Sequence, residues 1–467
     1  MMTYLVQSYW RRWLEWSKAT PNRRILQAAL TVGVLGILTN LVLVARELAV
    51  AYHFGTSDQI DAYLIAYLLP LMAMQVIAGS LSLALVPEYI RLREVNGLPA
   101  ANELYEGTLF WAVCFLVLIS IALAASTNYW LPLLTSGFSS EKRELSKHLF
   151  LLLLPSLLLS GFASVWTGIL NAGGRFLVGA LAPAAVPLCA IGGLFLLAPA
   201  YGIYALAVGT LIGYGLHCAV LMPSLRKRAI PLYPRYRPYD SFQVRVLRQY
   251  FPAASGALLM ASTTAVDQAM AAMLGSGAVA ALSFGNKVVS MVLGTAASAL
   301  GTAMLPELSV MAAARDLNGI RRALFVFSRL VLLTSVPLAF ALYMLSEPLV
   351  RVLFERGAFT ATDTALVGKV QALFVLQIPF YLIGTQLVRT LSALQMNHIL
   401  FSGTIISVLA NVALNLLFMR WLGVAGIALS TSAVYLLSCI YLGYFVKKCL
   451  NGQPEVTAST AHSQKHE

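Results

Sequence analysis

Between Ile25 and Lys447 the sequence is a near-continuous succession of apolar blocks, separated by only short polar breaks. A bilayer's hydrocarbon core takes ~20 consecutive apolar residues per crossing helix, so roughly twelve crossings fit. Only 11% of the 467 residues are charged, 59% are hydrophobic, and mean hydropathy is +0.77. A water-soluble chain carries about 25% charged residues. The chain therefore reads as an all-α integral membrane protein. Soluble enzymes, nucleic-acid binders and disulfide scaffolds are excluded as whole-chain readings. The five cysteines, Cys114, Cys189, Cys218, Cys439 and Cys449, lie in or beside apolar blocks without C-x-x-C spacing, which reads as packing.

Breaking the blocks at Gly, Pro and charge clusters predicts helices near 25–52, 60–87, 107–130, 147–170, 177–197 and 202–222. A second set follows near 249–274, 279–306, 322–345, 364–393, 398–418 and 424–446. Residues 1–24 lack a small-residue cleavage site after an apolar stretch and do not resemble a removed signal peptide. Trp10, Arg11, Arg12, Trp13, Trp16 and Lys18 there suggest a helix lying at the interface with anionic lipid, or simply a basic start that sets topology. Residues 25–222 and 249–446 form two six-helix lobes. The basic, proline-punctuated stretch 223–248 connects them, and 447–467 forms a polar tail that reads as disordered.

The net charge of +13 follows from topology. With the N-terminus inside, 21 Lys and Arg fall in cytoplasmic segments, including Arg91, Arg93, Arg175, Arg315, Arg321 and Arg322. Six face out: Lys142, Arg143, Lys147, Arg351, Arg356 and Arg420. The positive-inside rule then predicts both termini in the cytoplasm, with no nucleic acid implied. The lobes also repeat one another. Gly55 and Gly275, Pro87 and Pro306, Phe138 and Phe359, and the segments beginning at Gly202 and Gly423 are offset by 219 to 221 residues. Six helices per unit keep both units in one orientation, a parallel repeat that puts a substrate between the lobes.

Charged residues inside a membrane are costly, and each is a candidate for function. Arg46, Glu47, Asp61, Asp267 and Lys287 form this short set, with Lys369 and Arg389 nearer helix ends. Counting 1.5 Å per residue, Arg46 and Lys287 share a depth of about 10 Å below the outer end of their helices. Two such cations suit a phosphate or carboxylate substrate. Alternatively, Arg46 pairs with Glu47 or Asp61 and Lys287 snorkels outward. Asp267, Asn411 and Thr431 share one depth too, and Asn415 follows Asn411 at i+4 on the same helix face. Such an all-oxygen set suits a hard cation, Na⁺, or a proton on Asp267. The competing reading is an Asp bound to two asparagines as interhelical glue. An offset of 220 puts Glu47 opposite Asp267, and one of 221 puts Ala190 and Leu194 opposite the asparagines, which confines a cation site to the second lobe. There is no G-x-x-x-x-G-K-[ST] loop for ATP and no H-E-x-x-H for zinc. His217, alone in its segment, reads as a core residue.

The run VARELAVAYHFGTSDQIDAYLIAYLLP, Val44 to Pro70, resembles the opening signature of the MurJ/MviN family of lipid II flippases, an R-[DE]-x-x-[IV]-A segment leading to F-G and D-A. WTGILNAGGRFLVGALAP, FGNKVVSMVLGTAASALGTAMLPELS and EPLVRVLFERGAFTATD resemble later signatures. The resemblance implies the multidrug/oligosaccharidyl-lipid/polysaccharide exporter fold, with two six-helix lobes, alternating access and a cationic cavity for an undecaprenyl-linked pyrophosphate and sugar. Arg46 and Asp61 match family cavity positions, and Lys287 replaces an arginine with its charge kept. Asn40 stands for another cavity arginine, and an arginine pair is replaced around Met74 and Gln75. Two further C-terminal helices typical of lipid II flippases have no counterpart in this sequence. Asp267, Asn411, Asn415 and Thr431 fall where some members hold sodium.

The expectation is a bacterial inner-membrane flippase, not an enzyme, for an undecaprenyl-pyrophosphate-linked glycan, driven by membrane potential or a Na⁺ or H⁺ gradient and using no cofactor. Its substrate site would use Arg46, Lys287, Asp61, Glu47, Asn40 and Gln75. The missing arginines favour an exopolysaccharide repeat unit over lipid II. Partners would be the glycan lipid, anionic membrane lipid, and polysaccharide or peptidoglycan synthesis machinery. The rivals are a cation-coupled multidrug exporter of the same fold and a non-transporting scaffold in a polysaccharide synthesis complex.

Overall fold

A helix persists wherever the backbone can pair its own hydrogen bonds, so helices here extend beyond the apolar stretch that crosses lipid. The computed structural model describes residues 21–173, 176–237, 241–314 and 316–451, and its regular structure there is helical. In chain order the first group is α1 (Pro21–Phe54), α2 (Asp58–Ala73), α3 (Ser80–Ala125), α4 (Thr127–Leu134), α5 (Ser140–Leu153) and α6 (Pro155–Ala172). It continues with α7 (Phe176–Leu181), α8 (Ala185–Tyr201) and α9 (Tyr204–Arg226). The second group is α10 (Ser241–Ala272), α11 (Ala278–Ala313), α12 (Leu317–Met344), α13 (Ser346–Phe354) and α14 (Ala361–Val375). It ends with α15 (Gln377–Ala393), α16 (Asn397–Leu422) and α17 (Val424–Leu450). Most of the interfacial segment expected over 1–24, nearly all of the tail, and Arg175 and Arg315 lie outside the described residues.

Every expected crossing falls on helix, yet the ends differ. The helix of the fourth crossing begins at Ser140 rather than 147, and that of the seventh at Ser241 rather than 249. The added turns carry Lys142, Arg143, Arg245 and Arg248, so they continue the helix past the apolar core, where hydropathy alone gives no signal. Prolines account for the internal breaks. Pro155 begins α6 at the N-terminal position where its missing N–H costs nothing, and Pro379 cannot bond Val375, where α14 ends. Gly97, at φ 85°, turns the chain within α3, separating the second crossing from the third. Among the described residues nine stretches are long and apolar enough to span a membrane, and one of them, Asp58–Ala125, contains this turn.

One pair of positions matched in the sequence shares its local geometry. Gly202 ends α8 at φ 53°, ψ −133°, and Gly423 ends α16 at φ 57°, ψ −136°. These positive-φ conformations let the helix hairpins turn within two residues and one residue respectively.

The chain divides into two compact units, which differ from the lobes drawn on the sequence. Unit 1 is Met1–Val50, Leu69–Thr127 and His148–Ser255. Unit 2 is Ala51–Leu68, Asn128–Lys147 and Gly256–Glu467. Two hairpin tips of the first lobe, near 51–68 and 128–147, thus fold with the second. In unit 1, Trp166 donates to the Tyr105 hydroxyl at 2.9 Å, pairing the two polar atoms within an apolar core of Leu85, Leu109, Ile169 and Leu221. The connector is fastened to the same unit. Arg245 bonds Glu88 at 2.6 Å and Arg237 bonds Glu106 at 3.0 Å. Both glutamates are 4% exposed, and a buried carboxylate is tolerated only when paired. Connector arginines, read from the sequence as topological charges, therefore neutralise buried carboxylates.

Candidate functional site

Three side chains from two helices of unit 2 converge on one carboxylate carried by a third helix. Asp267 on α10 accepts at Oδ1 from Asn411 (3.0 Å) and Asn415 (2.7 Å), both on α16, and at Oδ2 from Thr431 on α17 (3.2 Å). The two asparagines are a helical turn apart, so both amides reach the same oxygen. The α16–α17 hairpin brings Thr431 alongside: Gly426 packs so closely on Phe418 that a Cβ there would meet its carbonyl oxygen at 2.3 Å. Ser430 then donates to the Asn411 carbonyl at 3.3 Å. Asp267, Asn411 and Asn415 are all buried, and Asn415 Oδ1 has no hydrogen-bond partner among the described residues. In this arrangement the amides point their N–H groups at the carboxylate, which is the interhelical glue. Turning each amide by half a rotation presents oxygen instead, and an amide can do so without moving its helix. One geometry therefore serves both readings.

The same unit encloses a cavity of about 830 Å³, lined by Asp267, Asn411 and Thr431 and also by Lys287 of α11. The lysine thus shares a cavity with the Asp267 cluster, a relation that equal depth on separate helices does not by itself establish.

Asp61 sits elsewhere. It is fully buried and takes the Gly277 N–H on Oδ2 and the Ala280 N–H on Oδ1, both at 2.7 Å. Helix starts leave unpaired N–H groups and a partial positive charge. Asp61, at the start of α2, supplies the missing cap for α11. Lys142 on α5 donates to Asp61 at 2.8 Å and also to Asp58, with its ammonium 4.0 Å from the Phe138 ring centre. Nearby, Ala358 donates to the Tyr52 carbonyl at 2.8 Å, and Thr56 bonds Asp363. Glycine is required on both sides of this contact. A Cβ on Gly55 would lie 2.5 Å from the Ala358 oxygen, and one on Gly277 would lie 2.4 Å from the Thr56 oxygen. The carboxylate of Asp61 thus serves a joint within unit 2. Lys142, counted in the sequence as an outer topological charge, is its buried counter-ion. The distances in sequence, 81 and 216 residues, left no local signal for either partner.

The remaining sequence candidates lie in unit 1. Arg46 bonds Glu47 at 3.0 Å, with both side chains mostly buried, which is the pairing weighed for it. Asn40 is exposed on α1. Gln75 is exposed in a π-helical turn, Met74–Gly79, one turn beyond Pro70. Such widened turns occur mostly where a helix is bent or functional.

A many-helix membrane chain holding a buried carboxylate cluster and a lysine on one cavity is a multi-pass transporter rather than an enzyme. A sequence model described as the lipid II flippase MurJ matches residues 50–464, most of the chain, and the chain belongs to that family. A probable lipid II flippase MurJ of Rhizobium tropici is 30% identical over 444 residues, covering 90% of this chain and 80% of that protein. The lipid II flippase MurJ of Thermosipho africanus is 26% identical over 91% of this chain and 86% of its own length. Among solved structures, lipid II flippase MurJ in an inward closed conformation matches with TM-score 0.77 at 25% identity, covering 90% of this chain and 87% of that one. An inward-facing multidrug resistance transporter of the MATE family gives 0.72 at 14% identity over 91% of this chain and 98% of that one, a likeness of fold. The protein is a multi-pass protein of the bacterial inner membrane.

Proposed function

We propose that this protein flips an undecaprenyl-pyrophosphate-linked glycan across the inner membrane by alternating access, with lipid II as its first candidate substrate. The observation that carries the reading is membership of the lipid II flippase family over most of the chain, joined to a cavity that holds a lysine. The relatives named as lipid II flippases weigh more than the arginine positions held here by Asn40 and Gln75, so the order of substrates drawn from the sequence alone is reversed. An exopolysaccharide repeat unit remains the second reading. Lys287 and Arg46 serve the pyrophosphate, and the Asp267 cluster binds Na⁺ or a proton to bias the second unit between its arrangements. In the described lining Lys287 offsets the charge of Asp267, which weighs against a cavity built for cationic drugs.

The test is flipping of a fluorescent undecaprenyl-pyrophosphate disaccharide in proteoliposomes. Lys287→Ala and Arg46→Ala are each expected to lose most transport while the protein still inserts. Arg46→Lys is expected to fall between, because the two-pronged guanidinium contact is lost. Wild-type rates from both alanine variants would remove the cations from the mechanism, and no flipping by the wild type would remove the function.

Orientation is a separate expectation. A reporter fused after Asn451 should read cytoplasmic, and one inserted in 135–139 should read external. The reverse readings would invert the topology derived from 21 inside and six outside cations.

A further inference from the structure

One arginine of unit 2 points a charge at acyl chains. From Leu330 to Leu345, along α12, the chain runs 16 residues without a charged side chain. A crossing takes ~20 residues, so one that ends at Leu345 begins near Val326. Arg329 then lies about 5 Å inside the hydrocarbon boundary. Arg322, seven residues earlier, stands two turns away on the same face, at headgroup level. That face is the lipid-facing one: Phe325, Val326, Leu330 and Leu333 are each more than half exposed, and on a spanning helix such a surface meets acyl chains. Arg322 and Arg329 are exposed as well, and neither makes a hydrogen bond or ion pair with the described residues. A charge at this depth is costly without a partner, which marks the position as a candidate for function.

Arg321 behaves differently. It donates to the Leu450 carbonyl at 3.4 Å and to Asn451 Oδ1 at 2.6 Å, so it is engaged at the end of α17. That contact brings the exposed Lys447 to the same end of the unit, where it adds to the positive field. The direction of the helix decides where the guanidinium of Arg329 goes. Cα–Cβ bonds tilt toward a helix N-terminus, which for α12 is the cytoplasmic end on the positive-inside reading. Arg329 therefore leans back over Phe325 and Val326, and its stem carries the charge toward the level of Arg322. Two planar forks at one level suit a group with several charged oxygens, a phosphate. A soluble anion does not enter the acyl boundary, so the phosphate must be carried by a lipid. Two cations against one phosphate also select an anionic headgroup, because a zwitterionic one brings an ammonium that they repel.

We infer that the lipid-facing side of α12 is a binding site for an anionic phospholipid of the cytoplasmic leaflet, its phosphate held between Arg322 and Arg329. The site lies outside the cavity and stands apart from the flippase reading.

The test is thermal unfolding of the full chain in nanodiscs of phosphatidylcholine, with and without phosphatidylglycerol, joined to native mass spectrometry of phosphatidylglycerol titrated onto the protein in detergent. Phosphatidylglycerol should raise the unfolding temperature of the wild type. Arg329→Leu should melt at or above the wild type in phosphatidylcholine, since leucine suits lipid, and should lose most of the gain from phosphatidylglycerol. That pattern separates lost binding from faulty folding. Affinity should fall about tenfold in Arg329→Leu and in Arg322→Gln, the effect of losing one charged contact, with Arg329→Lys between. Arg322→Gln gives the second reading should Arg329→Leu not fold. Arg351→Gln, whose arginine pairs with Glu347 and Glu355 instead, is the control and should bind as the wild type does. A wild type that responds alike to both lipids, or variants of Arg322 and Arg329 that keep the full response, would overturn the site and leave both arginines merely reaching for water. Undecaprenyl phosphate binding at these arginines ahead of phosphatidylglycerol would overturn the phospholipid as the occupant.

Discussion

Asp61→Ala is expected to destabilise the protein by about 3–5 kcal/mol, the usual cost of removing one partner from a buried ion pair. Three losses coincide. Lys142 stays buried with only Asp58, whose side chain is largely exposed, and the Gly277 and Ala280 N–H groups lose the cap of α11. By the scaling of soluble domains this lowers the unfolding temperature of a chain of this length by roughly 3–5 °C. Asp61→Asn should cost less, because an amide oxygen still accepts from one N–H of the helix while the charge opposite Lys142 is gone. Lys142→Met should cost less again, since the helix start still stabilises the carboxylate. Asp58→Ala serves as the control and should change stability by less than about 1 kcal/mol, as surface pairs do. The double variant Asp61→Asn/Lys142→Met should cost less than the sum of its parts, because each removes a charge the other leaves stranded. Tryptophan fluorescence during heating of the purified protein reads all of these. An Asp61→Ala protein that melts with the Asp58→Ala control would show that the cap is dispensable.

The contrast between Asp61 and Asp267 explains which parts of the site the sequence reveals. Asp267 is found by counting residues from helix ends, because its partners sit at matching depths on straight helices and depth is linear in sequence. Asn411 and Asn415 then identify each other at i+4. Asp61 lies in the first turn of its helix, where depth says little, and its partners are two backbone N–H groups and a lysine 81 residues away. Backbone groups leave no trace in a pattern of side chains. For the same reason the crossings are legible but the units are not. Hydropathy marks where lipid is, whereas the assignment of 51–68 and 128–147 to unit 2 depends on glycines that admit close backbone contact. The connector is similar: in the sequence its arginines read only as topological charges, and their pairing with Glu88 and Glu106 is visible only in three dimensions.

Sodium is expected to raise the unfolding temperature of the wild type, and Asp267→Asn to abolish that response. A ligand that binds the folded state stabilises it by RT ln(1 + [L]/Kd), about 2.7 kcal/mol at one hundred times Kd. Asp267 supplies the single negative charge, and its two oxygens already face Asn411, Asn415 and Thr431. Bound sodium would require the asparagines to present oxygen in place of N–H, and the unpartnered Oδ1 of Asn415 is the first available donor. Asn415→Ala should therefore weaken sodium binding more than Thr431→Ala, whose hydroxyl also has the Ile427 carbonyl as a partner at 3.1 Å. Without sodium, Asn411→Ala and Asn415→Ala should also destabilise the protein, because each now bonds the carboxylate. The two readings of the cluster separate at this point. Glue predicts that the asparagine variants lose stability equally in sodium and in potassium. A cation site predicts a loss that is larger in sodium, because the variant forfeits the ion as well as the hydrogen bond. A sodium series with potassium holding ionic strength constant gives both numbers from one set of melts. Equal responses of the wild type to the two ions would leave the cluster as glue, and proton coupling through Asp267 would then be the remaining route for driving transport.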